Sequence, residues 1–163
     1  MPKQSPAWLA DKFPHLRDFS AYSIEIDSAS IKALLKQPLI VTTTDNKEAF
    51  ATYVQTANVI DDLYTSGQND ANEVTDLGAT VNKDDIGIKL WAPTAKQVSV
   101  LLFNQDKTPA TPSSIDMVED SNTGIWKVKL PLTFNNKFYR YQIEVYHPAS
   151  QQFEQLVTTD PYS

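Results

Sequence analysis

The 163-residue sequence predicts an all-β fold: a β-sandwich, preceded by a small β-rich part with one short helix. Three observations carry this. Beyond Gly78, apolar and polar residues alternate with period two in one run after another, and that period sends successive side chains to opposite faces of a strand. The runs are short, recur at regular spacing and are separated by turn residues, as in sandwiches. Within them lies a hairpin in which Gly87-Ile-Lys-Leu-Trp-Ala-Pro-Thr-Ala95 breaks at Pro93 and restarts as Gln97-Val-Ser-Val-Leu-Leu-Phe103.

The elements follow in order. Residues 1–20 hold Trp8, Phe13, Pro14, Leu16 and Phe19 without a clean period and read as an irregular, partly packed lead-in. Ala21–Ile26 alternates and predicts a strand. Asp27-Ser-Ala-Ser30 offers caps for a helix over Ile31–Lys36, which Pro38 ends. Leu39–Thr44 and Ala49–Thr56 are β-rich runs around the polar turn Asp45-Asn-Lys-Glu48. Val59–Tyr64 is a short apolar-acidic stretch, and Thr65–Asp76 is polar enough to be a linker. Strands are then expected at Ala79–Val81, Ile86–Trp91, Val98–Phe103, Ile115–Val118, Ile125–Leu130, Phe138–Tyr146 and Phe153–Thr158. Parity places Ile88, Leu90, Val98, Val100, Ile143 and Val145 in the core and turns Trp91 away from it. The division is 1–64, a linker over 65–76, and 77–163.

Composition bounds the function. With 41% hydrophobic and 21% charged residues the chain is globular. Its net charge of −6 argues against nucleic acid, whose phosphates call for clustered Lys and Arg. Residues 1–78 carry 6 basic and 11 acidic side chains, and residues 79–163 carry 8 and 9. There is no cysteine, hence no disulfide or thiolate chemistry. No apolar run approaches the roughly 20 residues of a membrane helix, and the first residues lack the apolar core of a signal peptide. Met1 and the closing Asp160–Ser163 read as cut ends.

Hydrolysis by a pair of carboxyl groups needs the two held about 5–10 Å apart across the bond. Asp61/Asp62 and Asp84/Asp85 are adjacent in sequence and unsuited to that task, and Asp84/Asp85 reads as a turn. Two histidines, His15 and His147, make no zinc site. Asn69-Asp-Ala-Asn-Glu73 offers oxygen donors for calcium but reads as solvated linker. No cofactor is expected. Arg140, between two tyrosines, is expected in a cation–π contact or a surface ion pair.

From Leu77 onward the chain resembles carbohydrate-binding module family 48 of glycoside hydrolase family 13. The residues that carry the likeness come in the family's order: Leu77-Gly-Ala-Thr80, Leu90-Trp-Ala-Pro-Thr-Ala95, Val98-Ser-Val-Leu-Leu102, Met117–Trp126, Phe138-Tyr-Arg-Tyr-Gln-Ile143 and Thr159-Asp-Pro-Tyr-Ser163. Leu9-Ala-Asp-Lys-Phe-Pro-His-Leu16 and Val59-Ile-Asp-Asp-Leu-Tyr64 look like the end of the second N-terminal domain of secreted bacterial type I pullulanases. The resemblance implies an immunoglobulin-like (early-set) sandwich that is monomeric and non-catalytic. It also implies that the module packs against its parent's own catalytic barrel, outside the cell or at its surface, with α-glucan as a possible partner and no membrane contact of its own. Two alternatives stand beside this accessory role: a genuine starch- or glycogen-binding module, and an unrelated bacterial surface sandwich that binds protein. By the same resemblance, Trp91 and Phe153 are the candidate sugar contacts, because pyranose rings stack on flat apolar rings. The family's helper lysine falls near Gln142 and is missing, and its Gly-Ser-Phe-Asn-Asn-Trp turn is replaced by Phe103-Asn-Gln-Asp106. For Trp91, Trp126 and Tyr141 core or interface packing is the competing role.

Overall fold

A computed structural model describes residues 3, 4, 6–42 and 50–162. The sandwich consists of two four-stranded antiparallel sheets. In the first, β5 (Gly78–Val81), β6 (Asp85–Trp91), β10 (Ile125–Pro131) and β9 (Val118–Asp120) lie in that spatial order; in the second, β12 (Gln152–Thr158), β11 (Phe138–His147), β7 (Gln97–Phe103) and β8 (Pro109–Asp116) do. Ahead of them come β1 (Lys3–Gln4), α1 (Ala7–Lys12), β2 (Ser20–Ala21), α2 (Ser28–Leu34), β3 (Ile40–Thr42), β4 (Ala51–Tyr53) and α3 (Ala57–Tyr64). The arrangement of the two large sheets is the immunoglobulin one with an added edge strand.

The core lies where the inner faces meet. Ile86, Ile88 and Leu90 of β6 face Val98, Val100 and Leu102 of β7, with Trp126 and Leu130 of β10 and Tyr141 of β11 between them. Cross-strand register fixes this: Leu90 opposes Trp126 and Ile88 opposes Val128, while Val100 opposes Tyr141. Four of the six residues expected inside are buried there, Ile143 packs against them half-buried, and Val145 lies at the half-buried margin. Tyr141, on the same face of β11, takes the central position instead and is fully buried. Its hydroxyl donates to the Lys89 carbonyl at 3.4 Å, which gives the ring's polar end a partner inside the core.

Several elements differ from their sequence-based expectation. The strand expected over 115–118 is two strands, because the chain crosses from the second sheet to the first at the buried Met117. Ala21–Ile26 is a strand only at its first residue; Tyr22, Ile24 and Ile26 pair with no strand among the described residues and stand exposed. The helix expected over 31–36 starts earlier, where the Asp27 side chain accepts from the Ser30 amide at 2.9 Å. Two more short helices join it, α1 and α3. In α3 the inward residues Ile60, Leu63 and Tyr64 follow i, i+3, i+4, a helical period too brief to outweigh the acidic pair between them. The turn expected at Asp45–Glu48 lies outside the described residues.

The segment read as a linker has its own local structure. Thr65 and Ser66 hydroxyls donate to the Asp61 and Asp62 carbonyls at 2.8 and 2.6 Å. Buried Asp70 accepts from the Gly67 and Asn72 amides and starts a 3-10 turn over Ala71–Glu73. Among the described residues no group of three His, Cys, Asp or Glu converges on a metal position, and no helix is long and apolar enough to cross a membrane.

Leu90→Ala should cost roughly 2–5 kcal/mol in chemical denaturation, the range for deleting a packed core leucine. A loss below about 0.5 kcal/mol, typical of surface positions, would mean that the faces of β6 are inverted.

Candidate carbohydrate-contact surface

Trp91 ends β6 with parity opposite to Leu90, so it lies on the outer face of the first sheet, paired with Ile125. The ring is half-buried and its indole N–H donates to the Thr123 carbonyl at 3.0 Å. The turn that provides this carbonyl ends at Gly124, whose φ is +66°. A Cβ at Gly124 would fall 2.7 Å from the Cβ of Pro93 and 3.1 Å from the Tyr64 ring, so only glycine fits between them. Trp126 is buried, and its indole N–H donates to the Ala92 carbonyl at 3.0 Å. Both tryptophans thus tie the β6–β7 corner to the turn before β10.

Phe153 lies near the start of β12, opposite Tyr146, on the outer face of the second sheet. The two rings meet edge to face at 5.6 Å, and the Lys96 ammonium sits 4.3 Å from the Phe153 centroid. Beside them the same face is polar. Gln142 donates to Gln155 at 2.5 Å, Ser99 to Asp116 at 2.7 Å, and Glu144 stands 3.6 Å from Lys96. Trp91 and Phe153 therefore occupy outer faces of different sheets; the structure does not join them in one platform. The sequence reading missed Lys96 and Tyr146. The parity of Gln142, Glu144 and Tyr146 in β11 would have placed Tyr146 on this face.

A second feature, not legible in the sequence, is the dock between α2, α3 and the sandwich. Lys36 forms an ion pair with Glu119 and lies 5.3 Å from the Trp126 ring. Lys32 donates to the Ser121 and Asn122 carbonyls at 2.8 and 3.1 Å and sits 4.4 Å from the centroid of Tyr64. Tyr53 and Tyr146 share a hydroxyl contact of 3.1 Å. Tyr64 is almost wholly buried at this junction. Burial, aided by the Glu119 charge, pushes its hydroxyl up to about 12.

The remaining candidates resolve simply. Asp85 pairs with Lys129 at 2.8 Å and accepts from Asn82 at 2.7 Å, so it belongs to the β5–β6 turn; these contacts hold its carboxyl below the usual carboxylate range, the Lys129 bond first. Asp61 and Asp62 lie on α3. His15 sits exposed in a 3-10 turn, and His147 ends β11. Arg140 is solvent-exposed; the cation–π contacts found among the described residues are made by lysines.

The two sheets form an immunoglobulin-like sandwich with an aromatic side chain on the outer face of each. The pattern of carbohydrate-binding module 48, the isoamylase N-terminal domain, matches residues 76–163, and the chain belongs to that family. The pattern of the pullulanase N2 domain matches residues 1–62. A pullulanase of Klebsiella pneumoniae is 36% identical over 154 residues, 93% of this chain and 14% of the relative. Pullulanase 1, chloroplastic, of Arabidopsis thaliana is 29% identical over 160 residues, 97% of this chain and 16% of the relative. The crystal structure of apo pullulanase from Klebsiella pneumoniae superposes over the whole chain with a TM-score of 0.83 at 32% identity, using 17% of that protein. The chain thus corresponds to the N-terminal region of pullulanases and spans a small part of their length. The family assignment removes the alternative of an unrelated surface sandwich.

Tyr64 stays neutral in the folded chain to about pH 12, whereas its usual value is 10.0. The stability it contributes is fully present below pH 10 and is lost as pH rises through 12. Tyr64→Phe should therefore flatten the alkaline limb of stability in that window, measured by urea denaturation at stepped pH. An unchanged slope would show that the fold does not hold the Tyr64 hydroxyl neutral above its usual range.

Proposed function

We propose that the chain is a non-catalytic accessory part of a pullulanase-like enzyme that hydrolyses α-1,6 bonds in branched glucans. It packs against the catalytic barrel of its parent and assists contact with α-glucan. The observation that carries this reading is the ordered pair of matches, N2 over 1–62 and module 48 over 76–163. The division is a β-rich part over 1–64, a connecting segment over 65–76, and the sandwich over 77–163. Exposed Ile24, Ile40, Val41 and Phe50 support a first part that is completed by further protein surface. We place the parent outside the cell or at its surface, on the sequence resemblance alone.

The sugar contacts we propose are Trp91 and Phe153. Trp91 is half-buried with its N–H already bonded to Thr123, so it can offer sugar only the part of its ring left open, by stacking and not by donating. Phe153, 36% exposed and flanked by Lys96 and an amide-bearing sheet face, favours the second reading, a true α-glucan-binding module.

The test is complementation. A pullulanase lacking the matching residues should regain thermal stability when this chain is added, while the chain alone should release no reducing sugar from pullulan. Hydrolysis by the pure chain above a heat-killed control, or a truncated enzyme indifferent to its addition, would sink the proposal.

A further inference from the structure

A cleft of about 670 Å³ runs between α1 and α3, in the part of the chain ahead of the sandwich. That volume suits a small ligand. One wall is aromatic: Trp8 of α1 is 65% exposed, and Phe13 follows the helix end. The other wall is mixed, with Val59 and Leu63 of α3 beside its polar residues. Asn58, Asp61 and Asp62 stand at i, i+3 and i+4 of α3, a spacing that puts all three on one helical face, and each lines the cleft. Among the described residues neither carboxylate enters an ion pair.

The two walls select a class of ligand. A flat ring left open to water offers area to the C–H face of a pyranose. Carboxylates accept strong hydrogen bonds from vicinal hydroxyls, and an amide both donates and accepts. Asp61 and Asp62 outnumber Lys12, which also lines the cleft, so a polyanion is disfavoured, and among the described residues no group of three His, Cys, Asp or Glu makes a cation cage. We propose that this cleft is a separate subsite for a gluco-oligosaccharide, with Trp8 as the stacking ring and Asn58, Asp61 and Asp62 as the hydroxyl partners. The choice of glucan rests on the proposed function; the cleft itself is remote in sequence from Trp91 and Phe153.

The test is an amide and indole NMR titration of the chain with maltoheptaose. The indole signals of Trp8, Trp91 and Trp126 report separately on the cleft, the sandwich surface and the core. We expect the Trp8 indole and the amides of Asn58 to Asp62 to shift and saturate. Trp8→Ala, at an exposed position, should abolish the shift at α3. Asp61→Asn combined with Asp62→Asn should weaken affinity at least about tenfold, the scale of losing a charged hydrogen bond. Shifts confined to Trp91 and Phe153 would overturn the cleft and leave the proposed function standing. Silence at Trp8 up to the solubility limit of the sugar would overturn it too, and complementation would then judge the accessory role independently. A Trp8 shift unchanged in the double variant would overturn the assignment of the acidic stripe.

Discussion

The pleat of β6 is the constraint on which the sandwich rests. Ile86, Ile88 and Leu90 enter the core, so Gly87, Lys89 and Trp91 must leave it. A slip of one residue would bury Lys89 and expose three large aliphatic side chains, which makes the register strongly determined. The neighbouring strand obeys the same rule. Trp126 faces inward opposite Leu90, and Lys127 faces outward opposite Lys89. Two like charges directly across a ladder repel. Each is met by its own carboxylate: Asp76 accepts from Lys89, at 2.6 Å for the nearer oxygen, and Asp120 lies 3.2 Å from Lys127. The segment before β5 is therefore attached to the sheet through the same lysine that the pleat turns outward.

The end of the chain closes the other side of the first sheet. Buried Asp160 accepts from the Tyr139 hydroxyl and from the Tyr162 amide, the latter at 2.8 Å. It also crowds Gly78, where φ is +87° and a Cβ would come within 3.0 Å of the carboxylate. Burial first, and the Asp160 bond after it, raise the Tyr139 hydroxyl far above its usual range, so it remains a donor. The Asp-Pro-Tyr segment thus pins the start of β5 to β11, holding the edge of one sheet to the centre of the other.

The two outer faces offer different chemistry. The first presents paired lysines and one half-buried tryptophan whose N–H serves the fold. The second presents amides, Glu144 and a ring contacted by lysine. Between them, α2 and α3 cover the corner near Trp126 and Gly124 with two lysines and a buried tyrosine. Lysines suit this corner because the carbonyls of Ser121 and Asn122 have no strand partner and accept from an ammonium. The aliphatic stems of such side chains cover apolar surface at the same time.

Period-two alternation is a local property, and it made most of the sandwich strands, the inward set of β6 and β7, and the outward parity of Trp91 readable from the sequence; Pro109–Ser114 of β8, which lacks that alternation, was not read as strand. The family likeness was readable too, because its motifs are short runs in fixed order. Three things were decided only by tertiary structure. The crossing at Met117 depends on which sheet has a free edge, and no local pattern records that. The central place of Tyr141 depends on a carbonyl from another strand that accepts its hydroxyl. The separation of Trp91 from Phe153 depends on which sheet each strand joins. Parity tells which side of a strand a residue faces; only the pairing of strands far apart in sequence tells which side of the molecule that becomes.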